Sequence, residues 1–349
     1  MSGPGMTSLE RAMTTMGGRE PDRVPLFLVV TMHGATELGL SIPEYFASPA
    51  NIVEGQLRLL AKYGHDCVVG GPYAAVEAVA WGGEVVFRDD GPPNTGEPPV
   101  RRLEDIASLE PPAVAGNPAL SGALEVIAAL AERCPDVPVV GGVVSPFSLP
   151  VLQLGFDTYL GLLRDRGDLF DRLMAVNEEF CVAWANAQLA AGATAVGLAD
   201  PVASTTIVAP QTYRDAGREV VRRTISRIDG AVAVNFASGR CAGVLEDVIA
   251  TGAAAAQVSA DEDLRDLRRI AGDRLTLIGN LNGVAMRRWT VQEAETEVRR
   301  AIAAGAPGGR FVLSDNHGEI PFQVPEDVLH AIVDATHRWG TYPIAADAG

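Results

Sequence analysis

Eight short apolar runs punctuate the chain, at residues 24–30, 67–71, 137–144, 194–199, 231–236, 254–259, 275–279 and 310–314. Runs of this length that are apolar on every position, rather than on alternate ones, are the pattern of strands buried on both faces of a parallel sheet. Between them the apolar residues return with helical spacing. The longest such stretch, 168–189, puts Leu169, Leu173, Val176, Phe180 and Trp184 on one stripe. Helix starts are marked by Thr7 with Glu10 and Thr290 with Glu293 as capping boxes, and by Pro49 and Pro210 entering first turns. One phrase recurs in the second half: a helix ends in Gly-Ala, an apolar run follows, and the run closes on an aspartate. It appears at Gly192 to Asp200, Gly252 to Asp261 and Gly305 to Asp315. Glycine fits a left-handed helix C-cap at each of these turns.

Eight strands alternating with helices predict an α/β protein with a single (β/α)8 TIM barrel as one domain over 1–349, opened by an N-terminal helical extension. Between the second and third strands, residues of about 84–115 are rich in proline and glycine and predict a β-hairpin and loop insertion over the barrel mouth. No Gly-x-Gly-x-x-Gly or Walker-type loop is present, so no NAD site is expected.

Composition narrows the function. Lys+Arg 28 against Asp+Glu 44 gives a net charge of −16, which disfavours nucleic acid and anionic membrane surfaces as partners. Lys62 is the single lysine and precedes the second strand, at the end of the barrel away from the chemistry, so no PLP-type Schiff base is expected. Cys67, Cys134, Cys181 and Cys241 are widely spaced and fit reduced thiols in a cytoplasmic protein. No apolar string approaches the roughly 20 residues that span a bilayer.

Barrel enzymes carry their chemistry at the C-terminal ends of the strands. The side chains expected there are His33 after the first run, Tyr73 and Glu77 after the second, Phe147 after the third and Asp200 after the fourth. The later runs add Asn235, Ser238, Arg240 and Cys241, then Asn282, then His317. Each has a plainer alternative: Asp200 can cap the turn behind it, Cys241 can fill core space, and Arg240 can pair with rim acids. Glu77 lies inside an apolar run, either on the polar side of a short helix or as a buried carboxylate with a raised pKa.

Several segments together resemble the uroporphyrinogen decarboxylase superfamily, whose barrel also includes cobamide-dependent methyltransferases. They are Leu9-Glu-Arg-Ala-Met with Pro21-Asp-Arg-Val-Pro-Leu, Val76-Glu-Ala-Val-Ala-Trp-Gly, Ser145-Pro-Phe-Ser-Leu and Asp200-Pro-Val-Ala-Ser. Gly279-Asn-Leu-Asn and Ala303-Ala-Gly-Ala-Pro-Gly-Gly complete the set. The decarboxylase branch implies paired arginines in the first loop and an aspartate after the second strand; here that loop reads Thr31-Met-His-Gly-Ala-Thr-Glu and Tyr73 stands at the aspartate position. The methyltransferase branch, which the loops resemble more, implies zinc held by His-x-Cys after the fifth strand and a cysteine after the eighth. Phe236, Ser238 and His317 occupy those positions.

The resemblance implies a methyltransferase-like enzyme acting on a small polar substrate, with a cobamide supplied by a corrinoid partner protein. Glu77, Asp200 and His317 are expected to be catalytic, with His33, Tyr73, Phe147, Asn235, Ser238, Arg240 and Asn282 as substrate contacts. A relocated zinc site of His317, Cys241 and Glu77 is a further expectation, as is a homodimer. The alternatives are a carboxy-lyase for a smaller carboxylate and a non-catalytic barrel that binds a corrinoid or tetrapyrrole.

Overall fold

The computed structural model describes residues 5–71 and 73–344. Eight parallel strands form one curled sheet: β1 (Leu26–Phe27), β2 (Val68–Val69), β5 (Val139–Val144), β6 (Ala195–Ala199), β7 (Ala231–Asn235), β8 (Ala255–Gln257), β9 (Thr276–Leu281) and β10 (Phe311–Asp315). Their spatial order is β1-β10-β9-β8-β7-β6-β5-β2, so the fold is a TIM-type α/β barrel with its end strands at β1 and β2. β3 (Val85–Val86) and β4 (Asn94–Thr95) form a separate antiparallel pair, the expected hairpin after the second barrel strand.

All eight runs become strands, and the two at the ends of the sheet are shorter than the apolar pattern implied. Each end strand has a ladder on one side alone. Between them the backbone N–H of Asp66 donates to Leu26 O at 2.7 Å, and the Leu26 N–H donates to the Asp66 carboxylate at 2.8 Å. A side chain thus takes the place of a strand neighbour, and the ladder stops.

Both capping boxes form. The long helix Asp168–Ala190 buries Leu173, Val176, Phe180 and Trp184. Gly192 and Gly252 take positive φ at the ends of their helices, as the recurring phrase requires. Gly305 serves differently: a Cβ there would stand 2.6 Å from the Phe311 ring, so packing of helix Val291–Gly305 on β10 excludes a side chain. Asp261 is exposed and Asp263 caps the following helix by accepting from the Arg265 N–H.

The insertion lies over one side of the mouth. Gln323, in the loop after β10, donates to Asp90 O at 2.7 Å, and Val100 N–H donates to Gln153 O at 3.0 Å beyond β5. This strap ties the loop after β10 to the segment after β5, the neighbours of the end strands β1 and β2. No described helix is long and apolar enough to cross a membrane.

Candidate active site at the barrel mouth

Two carboxyl groups flank the end of β5. Glu77, on the short helix Ala75–Ala80, is 2 % exposed and accepts the Val144 N–H on Oε1 at 2.9 Å. Its Oε2 is buried without a hydrogen-bond partner. Burial pushes its pKa up to about 8, against the pull of the Val144 N–H and the nearby Trp184 indole, whose N–H makes no well-formed bond. Of the two readings left open by the sequence, the buried carboxylate holds.

Asp200, at the end of β6, is fully buried and accepts the Ser145 and Ser148 hydroxyls on Oδ1, each at 2.6 Å. Its Oδ2 is also without a partner. Burial raises its pKa to about 6, and the two serines hold it from rising further. Both carboxylates act on the thiol of Cys181, which is itself bonded to Val144 O, so they share one neighbourhood. At neutral pH they hold different charges: Glu77 is mostly protonated and Asp200 mostly ionised.

The loop after β10 is pinned across the opposite strand ends. Asp315 accepts the His317 and Gly318 N–H groups on Oδ2 at 2.6 and 2.8 Å, and Gln257 on β8 donates to Asp315 O at 2.9 Å. A Cβ on Gly318, where φ is +90°, would sit 2.3 Å from Asn235 Nδ2, so glycine permits the approach of this loop to β7. The loop then delivers Glu319 to the first strand's end, where it accepts the Thr31 hydroxyl and the Met32 N–H. Burial pushes Glu319 up to about 8 although part of its residue surface remains open.

The other expected contacts fall into distinct settings. Asn235 accepts the Ala237 N–H at 2.6 Å and reaches toward His317 O. Ala237 and Ser238 both have left-handed backbone, φ 47° and 68°, a strained pair directly beyond β7. Arg240 is exposed beside them. Tyr73 is half-buried, edge-on to Phe46 and to Phe87 of the insertion. His33 is buried with neither ring nitrogen bonded; burial, then the charge of Lys62, lowers its pKa to about 4, so it is neutral at physiological pH. Asn282 caps the turn Ala285–Arg288 by accepting the Ala285 N–H.

Two expectations are corrected. Phe147 is fully buried between Tyr159 and Tyr213 and packs the core instead of lining the mouth. The relocated zinc site of His317, Cys241 and Glu77 does not assemble: among the described residues no three His, Cys, Asp or Glu side chains gather as ligands. His317 is exposed, Glu77 lies buried beside β5, and Cys241 is fully buried. Burial and the adjacent Glu262 hold the Cys241 thiol well above its usual pKa, which opposes a thiolate ligand. At the positions where the resemblance implies His and Cys, Phe236 is buried and the Ser238 hydroxyl donates to Ala237 O. As placed, these residues do not form a zinc site among the described residues.

Gln257 and Glu262 were not among the residues expected at the mouth, and Glu319 was expected on the rim after the eighth run without a role. Gln257 and Glu319 carried a signal, a polar residue within or just after an apolar run, the same signal that marked Glu77. Lys62 is held by Glu37 and Glu326, each at 2.9 Å.

Residues 7–339 match the family model for uroporphyrinogen decarboxylase (URO-D), and the chain belongs to that family. Among its relatives, methylcobamide:CoM methyltransferase MtaA of Methanosarcina barkeri is 25% identical over 340 residues, covering 94% of this chain and 97% of that protein. Uroporphyrinogen decarboxylase of Burkholderia thailandensis is 28% identical over 260 residues, 69% of each chain. A solved methyltransferase from Methanosarcina mazei shares the fold, with a TM-score of 0.86 at 22% identity over 95% of this chain and 99% of that one.

Proposed function

We propose that the chain is a methyl-transferring enzyme that takes a methyl group from a small polar substrate and passes it to a corrinoid carrier brought by a partner protein. The observation that carries this reading is the split pair at the mouth, Glu77 near 8 and Asp200 near 6, each with one buried oxygen unengaged. Near full-length similarity to a cobamide-dependent methyltransferase supports the class, and the lack of arginine in the first loop weighs against a porphyrinogen.

The direction of transfer follows from proton balance. Methylating a thiol at neutral pH needs a thiolate, and among the described residues no ligand set for the zinc that would supply one comes together. Removing a methyl group instead breaks a heteroatom–carbon bond: the carbon bonds to the acceptor, and the heteroatom gains a proton. Glu77 holds that proton at neutral pH and regains it from solvent afterwards. Asp200, fixed through Ser145 and Ser148, orients the substrate or accepts its proton. General acid assistance of this kind contributes roughly 10²- to 10⁴-fold. His317, on the outer loop, serves as a rim contact. Four free, buried thiols support a reducing, cytoplasmic setting.

The test is methylation of reduced cobalamin, followed by its absorbance, with a panel of small O-, N- and S-methyl compounds. Protein-dependent methylation lost in Glu77→Gln supports the reading. Release of carbon dioxide from a small carboxylate, without methyl transfer, overturns it in favour of the carboxy-lyase alternative.

A further inference from the structure

We infer that Arg240 is the recognition point for a monoanionic group, a carboxylate, on the substrate. This rests on the reading of the barrel mouth as the substrate site. The inference begins with how firmly the backbone at this position is held. The Arg240 N–H donates to Thr206 Oγ1 at 3.0 Å, and its carbonyl accepts the Thr205 N–H at 2.8 Å and the Thr205 hydroxyl at 3.2 Å. One residue earlier, a Cβ on Gly239 would stand 2.5 Å from Cβ and Oγ of Ser204, so the loop after β7 lies flat on the loop that begins at Asp200. Ala237 and Ser238 enter this turn in left-handed conformation. A rigid, partly strained loop therefore presents one long cationic side chain next to the segment that carries Asp200.

That cation is free. Among the described residues no carboxylate pairs with the Arg240 guanidinium, although acids outnumber bases in the chain, 44 to 28. Glu262, in the loop after β8, is already engaged: its two oxygens accept the Cys241 and Ala242 N–H groups at 2.7 and 2.9 Å. Glu262 thus braces the backbone following Arg240 and leaves its charge unneutralised. Many arginines elsewhere on the surface have acid partners, as in Arg227 with Glu179, Arg274 with Glu246 and Arg214 with Asp247, while Arg287 and Arg288 on the turn after β9 resemble Arg240 in pairing with no acid among the described residues.

A planar guanidinium matches a carboxylate with two parallel hydrogen bonds. A carboxylate offers that fork two coplanar oxygens and a single charge, and inorganic phosphate is the competing anion. The substrate class is accordingly a small methylated acid whose carboxylate faces Arg240 and whose methyl-bearing heteroatom faces Glu77 and Asp200.

The experiment is titration calorimetry at neutral pH with methoxyacetate and N,N-dimethylglycine, their amides, which lack the carboxylate charge, and inorganic phosphate, on the wild type, Arg240→Ala and Arg240→Lys. Expected is binding of at least one acid, an acid-over-amide preference of roughly 10- to 100-fold, its loss in Arg240→Ala and partial return in Arg240→Lys. Equal affinity for acid and amide, unchanged acid binding by Arg240→Ala, no acid binding up to millimolar concentrations, or tighter binding of phosphate each overturns the inference. Because the readout is binding, failure of methyl transfer with the carboxylate preference intact would sink the proposed reaction and leave Arg240 in its role.

Discussion

The two ends of the barrel bury carboxylates in opposite ways. At the N-terminal end Asp66 is fully buried and entirely matched: it receives Arg11 at 2.7 Å, Arg23 at 2.6 and 3.0 Å, Ser8 at 2.8 Å and the Leu26 N–H at 2.8 Å. Arg11 also binds Asp22 and, against the upward push of burial, keeps that carboxyl below its ordinary pKa. At the mouth Glu77 and Asp200 are as deeply buried, yet no arginine or lysine pairs with them and each leaves one oxygen unmatched. A carboxylate with full partners holds the fold together; one without them keeps a proton available for chemistry.

The sharpest way to break this comparison is Asp66→Ala. Removing it leaves buried Arg11 with Asp22 alone and takes the carboxylate from half-buried Arg23, and a loss of roughly 3–5 kcal/mol is expected in urea unfolding. A change under about 1 kcal/mol would mean that the network is decorative. Gly318→Ala comes next: it places a methyl group at positive φ against Asn235, and roughly 1–3 kcal/mol of destabilisation is expected in the same assay. An unchanged midpoint would show that the loop is not pinned.

Glu77→Gln should shift stability least and reverse the sense of the first experiment. The folded-state pKa of Glu77 is raised, from an ordinary 4.5 to about 8. The folded protein therefore binds more protons than the unfolded chain between those values. Stability from this group is greatest below about pH 4.5 and declines as pH rises toward 8. Glu77→Gln should flatten that decline, and a melting-temperature profile from pH 5 to 8 checks it. A steeper decline in the variant would contradict the assignment. Asp200, raised from 3.8 to about 6, acts with the same sign over a lower and narrower window.

Much of the architecture was legible because buried strands must be apolar on both faces, and the runs ending at Val144, Ala199 and Phe236 say so directly. Glu77 was legible for the converse reason, a charge where nothing else is polar. Phe147 misled because an aromatic residue beyond a strand end serves a mouth or a core equally well; only its packing against Tyr159 and Tyr213 decides. His317 drew attention for its imidazole, whereas the folding information in Asp-Asn-His-Gly resides in Asp315, which holds the turn, and in Gly318, which lets it approach Asn235. Asp66 and Glu262 were silent because their partners, Arg11, Arg23 and the backbone at Cys241, are distant in sequence. The zinc expectation failed for a related reason: residue types can be counted along a chain, while convergence of His317, Cys241 and Glu77 depends on where three separate loops end.

The seam between β1 and β2 has a mechanical consequence. Every other neighbouring pair of barrel strands is joined by a ladder, while this one is fastened from below by Asp66 and bridged from above by the strap that runs from Gln323 to Gln153. A ring with one unlaced joint breathes at that joint. Hydrogen exchange is accordingly expected to be fastest along β1 and β2 and slower in β6 and β7, which have ladders on both sides.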